Sequence, residues 1–79
     1  MDVDELQKWV GKHVVTDRPA TPEEIEYYGC PTMGGAGVVV RIYQSDNGEV
    51  WVEMDWGMGW TLTEDTTIWE IGHSDEVTA

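Results

Sequence analysis

The residues best suited to nucleophilic chemistry are the single thiol, Cys30, and the two imidazoles, His13 and His73. A cysteine nucleophile needs a base to take its proton and a positive setting to hold the thiolate. No spacing brings either histidine to Cys30, and 16 acidic against 4 basic side chains leave little positive potential to offer. The same three residues lack the paired ligand spacing of a zinc site. Two carboxylate pairs, Glu53 with Asp55 and Glu64 with Asp65, have the form of an acid and a base. Arg41, however, is expected across a hairpin from Glu53, and Glu64-Asp65 reads as a solvated turn. Asp46-Asn47-Gly48-Glu49 lacks the alternating oxygen ligands of a calcium loop. The glycine-rich stretch from Gly29 to Gly37 lacks the Lys-Ser/Thr ending of a phosphate-binding loop and runs into a strand instead of a helix. The expectation is a protein that is not an enzyme and that carries no cofactor and no metal.

What remains is recognition chemistry. Five tryptophans and three tyrosines stand in a chain without phenylalanine. Tyr43, Trp51, Glu53, Asp55, Trp56, Met58 and Trp60 make up the candidate partner-binding set, in which rings supply apolar anchors and carboxylates supply a rim. Two readings compete. In one, most rings fill the core or lie beneath a covering helix; in the other, an exposed aromatic patch binds a partner. A variant of the second is an aromatic cage that captures methylated lysine through cation–π attraction, with Asp55 as the anion.

The formal charge of −12 is spread along the chain rather than gathered in a tail. Such a surface repels phosphates, which argues against direct binding of nucleic acid or of an anionic membrane. It is steered instead toward basic protein surfaces, especially those built to bind nucleic acid. In size, acidity and lack of catalytic residues the chain is similar to small phage-encoded inhibitors that mimic the charge of DNA. The function expected is that of a non-catalytic, acidic protein-binding module that occludes a basic, nucleic-acid-handling partner. The alternative is a peptide- or methyl-lysine-binding adaptor using the aromatic patch. No apolar run approaches the roughly 18–20 residues of a membrane span, and Met-Asp-Val-Asp-Glu has neither region of a secretory signal. One cysteine makes no intrachain disulfide, which suits a reducing compartment. A cytoplasmic location is expected.

These side chains must be carried by short elements. Residues 1–71 are expected to form one mainly β domain, with an N-terminal helix over 2–10, a barrel over 12–71 and a disordered acidic tail over 72–79. Val3, Leu6 and Val10 give the first helix an apolar stripe, Asp2 and Asp4 suit its start, and Gly11 its stop. His13 to Thr16 reads as a strand that Asp17 to Pro19 break. Thr21-Pro22-Glu23-Glu24 carries a capping box and a proline at the first helical position, and Gly29 and Pro31 close that helical turn. Gly29 to Gly37 reads as irregular loop. From Gly37 to Asp55 the pattern is a hairpin about Asp46-Asn47-Gly48. A two-residue turn would mix apolar and charged faces. A three-residue turn with Gly48 left-handed sets Ile42 opposite Val52, Tyr43 opposite Trp51 and Arg41 opposite Glu53, with Val40, Ile42, Val52 and Met54 inward. Trp56 to Gly59 turns again, into Trp60–Thr63, and Glu64-Asp65 leads to a last strand over Thr66–Ile71.

Through Gly37-Val38-Val39, Gly48-Glu49-Val50-Trp51-Val52 and Asp55-Trp56-Gly57, residues 11–71 resemble SH3-like barrels, including KOW and Mind-bomb-type modules. The resemblance implies a small five-stranded barrel, to which the residue pattern adds a short N-terminal helix and one short helical turn in the first long loop. Mind-bomb-type modules carry an aromatic where this chain has Met54, and the basic character of nucleic-acid-binding KOW modules is absent. The resemblance therefore implies a fold and no activity.

Overall fold

A computed structural model describes residues 2–71. The expected acidic tail, with His73, lies outside the described residues. Helix α1 spans Val3–Leu6 and runs directly into a 3₁₀ turn over Gln7–Trp9. Asp2 caps it, its carboxylate accepting from the Asp4 N–H at 2.9 Å. The tightening changes the stripe. A period of three places Val3, Leu6 and Trp9 in line, and these three pack on the core, whereas Val10 is exposed. Gln7 fixes the turn to the sheet by donating from Nε2 to the Ile42 carbonyl at 2.8 Å.

The five strands are β1 (His13–Pro19), β2 (Thr32–Gln44), β3 (Val50–Met54), β4 (Gly59–Leu62) and β5 (Thr67–Glu70), with helix α2 (Pro22–Tyr28) between β1 and β2. They form one antiparallel sheet in the order β4-β3-β2-β1-β5. The capping box of α2 is present in both directions, and Gly29 ends the helix at φ +76°.

Two elements are longer than the sequence suggests, for one reason. Strand β1 continues through Asp17, Arg18 and Pro19, and from Thr32 onward the glycine-rich stretch is not loop but the first half of β2, paired with β1 from His13↔Val38 to Pro19↔Thr32. Glycines serve here for close approach instead of chain reversal. A Cβ on Gly34 would stand 2.1 Å from the Thr16 carbonyl oxygen, and one on Gly37 would stand 2.6 Å from the indole nitrogen of Trp56.

The hairpin between β2 and β3 has the expected bulged turn. Gly48 sits at φ +88°, its N–H donates to the Ser45 carbonyl, and the Ser45 N–H donates to the Glu49 carbonyl. Arg41↔Glu53, Ile42↔Val52 and Tyr43↔Trp51 pair as expected. Val40 does not point inward. The register shifts between Val39 and Arg41, Val39 pairs with Met54 and is buried, and Val40 is turned out with 49% of its surface exposed. A bulge inserts one residue without a partner and so reverses the facing of the residues before it. The β3–β4 connection repeats the first turn: the Met54 N–H donates to the Met58 carbonyl, the Gly57 N–H to the Met54 carbonyl, and Gly57 lies at φ +91°.

Val14, Val39, Ile42, Val50, Val52, Met54, Trp60 and Leu62 form the buried cluster. In a flat sheet β4 and β1 would lie about 14 Å apart, three strand spacings. Instead Trp60 Nε1 donates to Thr16 Oγ1 at 2.7 Å, and Arg18 Nε donates to the Thr61 carbonyl at 2.7 Å. The sheet is therefore curled about β2, and side chains span the gap between β1 and β4. The backbone ladders leave β4 and β5 at the two ends of the strand order.

Candidate functional site

The seven residues of the expected partner surface do not form one patch. Tyr43 and Trp51 are half-buried on the outer face of the β2–β3 hairpin. Beside them Arg41 lies over the Tyr43 ring at 4.2 Å and donates to Glu53 Oε1 at 3.0 Å. Glu53 thus has a cation of its own, and its hydrogen bond raises the Arg41 pKa. Asp55 belongs to the β3–β4 turn rather than to the strand face. Its carboxylate accepts from the Val38 N–H at 3.2 Å, and its own N–H donates to the Val38 carbonyl. One oxygen of this exposed anion is thereby engaged by the backbone. Reversing Glu53 or Asp55 would disturb the fold as well as any partner, so neither reversal isolates binding.

Trp56 and Met58 are open, with 55% and 52% of their surfaces exposed. Trp56 is nonetheless held in place, since Nε1 donates to the Ala36 carbonyl at 2.8 Å and the ring lies over Gly37. Trp60 is 7% exposed and belongs to the core, its ring against Gly35. The two rings meet at a tilt, 6.2 Å apart. One tryptophan of the set is therefore exposed, one is core, and Trp51 lies between.

Two features were not singled out in the sequence. The first is Arg18, 3% exposed on β1. All five of its N–H groups are engaged: Nε with the Thr61 carbonyl, one terminal nitrogen with the Pro19 carbonyl and Glu24 Oε1, the other with Glu24 Oε2 and Thr61 Oγ1. Glu24 also accepts from the Thr21 N–H at 2.9 Å to complete the capping box. The Arg18 guanidinium, aided by the Thr21 N–H, pulls the Glu24 carboxyl down from its ordinary 4.5 to about 2. The capping box marked Glu24, but nothing in the order of residues linked it to an arginine six positions earlier.

The second feature is a groove of about 390 Å³ between α2 and the β3–β4 hairpin, lined by Glu23, Tyr28, Met33, Glu49, Trp51 and Trp60 among others. Helix α2 buries none of its residues, and Ile25, Tyr27 and Tyr28 are all exposed. The network around Arg18, together with the Ala20–Pro31 backbone bond at its base, ties this helix to the sheet.

His13 and Cys30 belong to opposite ends of the β1–β2 ladder: His13 opens β1 and Cys30 precedes Thr32, the partner of Pro19. Six strand steps separate those ends, roughly 20 Å. The Cys30 thiol is exposed and lies 3.7 Å from the Tyr28 carbonyl. Among the described residues no three histidine, cysteine or carboxylate side chains gather as a metal site, and no helix is long and apolar enough to cross a membrane.

No model of a protein family matches this sequence, and neither a curated protein nor a solved structure matches it.

Proposed function

We propose that this chain is a non-catalytic, acidic binding module of the SH3-like type. It acts in the cytoplasm by covering the basic surface of a partner protein, one whose own ligand is nucleic acid. The side-chain seam from Thr16 and Arg18 to Trp60 and Thr61 supports the barrel reading, because it does across the gap what a backbone ladder does elsewhere.

The observation that carries the functional reading is the fate of the cations. Arg18 pairs with Glu24, Arg41 with Glu53, and Lys12 approaches Glu70 at 3.9 Å, while Lys8 lies over the Trp9 ring. All four basic side chains are thus occupied within the chain, and among the described residues most carboxylates are exposed. Such a surface speeds encounter with a positive one, and an exposed ring such as Trp56 slows release once contact is made. The immobilised chain should retain basic proteins at low salt, identified by mass spectrometry, and release them to added DNA or to high salt. Retention that ignores both salt and DNA would sink this reading.

The same surplus opposes folding by self-repulsion. Added sodium chloride should therefore raise the melting temperature of the free protein, read by circular dichroism, over the range in which the screening length falls from roughly 30 Å to roughly 8 Å. A flat or falling profile would show that the carboxylates are too far apart to matter.

A further inference from the structure

We propose that the groove between α2 and the β3–β4 hairpin receives an arginine side chain of the partner, stacked on Trp51 and Tyr28 and paired with Glu23 and Glu49. This rests on the reading of the chain as a binder of basic proteins and names the place and chemistry of contact. The groove, at about 390 Å³, falls toward the small end of the usual range of roughly 300–1,000 Å³, and suits a side chain better than an extended ligand.

The protein already makes this contact once within itself. On the outer face of the β2–β3 hairpin, which shares strand β3 with the groove, the Arg41 guanidinium lies 4.2 Å from the Tyr43 ring centroid and 3.0 Å from Glu53 Oε1. Tyr43 is directly across from Trp51. Glu49 and Glu53 flank Trp51 at two residues on either side, so strand alternation sets one carboxylate on each side of the ring. Arg41 takes the Glu53 side. On the other side Trp51 and Glu49 face the groove, with Tyr28 and Glu23 of α2 across from them. Glu49 accepts from Asn47 Nδ2 at 3.1 Å through one oxygen, and among the described residues neither Glu23 nor Glu49 is ion-paired. Glu24, the third carboxylate of the lining, is satisfied by Arg18 and sets the position of α2. The cation that complements this lining must come from another molecule. A planar guanidinium suits it better than an ammonium, because it stacks flat on an indole while its edge donates to two carboxylates.

The test is a nuclear magnetic resonance titration of the full chain with the peptide Ac-Gly-Arg-Gly-NH₂, with the citrulline and lysine peptides as comparisons. The arginine peptide should give saturable shifts at the Trp51 indole N–H and at Tyr28. Glu23→Gln with Glu49→Gln should weaken it about tenfold, the loss of one or two charged hydrogen bonds. Asp17→Asn with Asp65→Asn removes the same charge outside the groove and should weaken it by no more than roughly twofold. Both pairs alter exposed side chains, and spectral dispersion verifies the fold of each variant. Equal binding of the citrulline or lysine peptide, shifts centred on Trp56 and Met58, or no saturable shift at millimolar peptide would each overturn the assignment. Equal weakening by both variant pairs would overturn the groove while leaving the broader reading standing. That broader reading fails separately, if basic proteins are not retained in a salt-dependent way.

Discussion

Glu24→Ala should lower the stability of this protein by about 2–3 kcal/mol, because it leaves a buried guanidinium without its counter-charge. For a chain of this size that is a fall in melting temperature of roughly 10–20 °C. Arg18 is 3% exposed but Glu24 is partly open to water, which puts the expected loss just below the roughly 3–5 kcal/mol that breaking a fully buried pair costs. The damage should reach beyond α2, since the same guanidinium bonds Thr61 and so joins β1 to β4. Arg18→Lys should be nearly as harmful: one ammonium has three donors and no fork, and it cannot serve Glu24, Pro19 and Thr61 together. Acid gives an independent check. The folded value of the Glu24 carboxyl, about 2, lies below its ordinary 4.5, so its contribution is full above about 4.5 and is lost as pH falls through 2. Acid also lowers the chain's net negative charge and so relieves its self-repulsion, which acts in the opposite direction. The gap in melting temperature between the wild-type chain and Glu24→Gln separates the two effects. It should hold steady from neutral pH down to about 5 and close between about 4.5 and 2. A gap that stays constant into strong acid would show that the ion pair contributes nothing.

Gly34→Ala should cost at least about 3 kcal/mol, whereas Gly48→Ala should cost about 1–2 kcal/mol. Both glycines have positive φ, +152° and +88°. A Cβ at Gly48 would meet nothing within 4 Å, so only the backbone preference is lost there. At Gly34 the same atom would stand 2.1 Å from the Thr16 carbonyl oxygen, which is backbone of the paired strand and has no room to give. Forcing β1 away from β2 would also move the Thr16 hydroxyl, which accepts from Trp60 at the centre of the curl. Chemical denaturation of both variants measures the difference directly. Equal costs would mean that the first half of β2 is not held against β1 as closely as described.

Local patterns were legible wherever a short stretch of chain settles its own conformation. The capping box at Thr21 and Glu24, the glycine stop at Gly29 and the bulged turn at Gly48 depend on residues within a few positions of one another. The pairing of Arg41 with Glu53 and of Tyr43 with Trp51 followed from that turn, because side-chain alternation carries register outward from it. The sequence is ambiguous where a local signal has two meanings. Glycines from Gly34 to Gly37 suit a loop, and they equally suit a strand that must pass beneath indole rings and against a neighbouring backbone. The bulge at Val40 has no marker in a run of three valines, and only the demand that both Val39 and Ile42 be buried creates it.

Charge and composition are properties of the sequence alone, and they fix the net charge of −12 from which the proposed class of partner is argued. Which tryptophan becomes core and which stays open was decided by the tertiary structure. Trp56 and Trp60 are four residues apart on either side of one turn, yet one lies over Gly37 at the surface and the other bonds Thr16 inside the curl. The same holds for the groove. Tyr28 and Glu23 come from a helix that buries nothing, and they face Trp51 and Glu49 because Arg18, far off in sequence from β4, bonds Glu24 and Thr61 together. A guanidinium taken out of water must have its donors satisfied at one point in space, and meeting that requirement draws distant segments to fixed positions that no local pattern records.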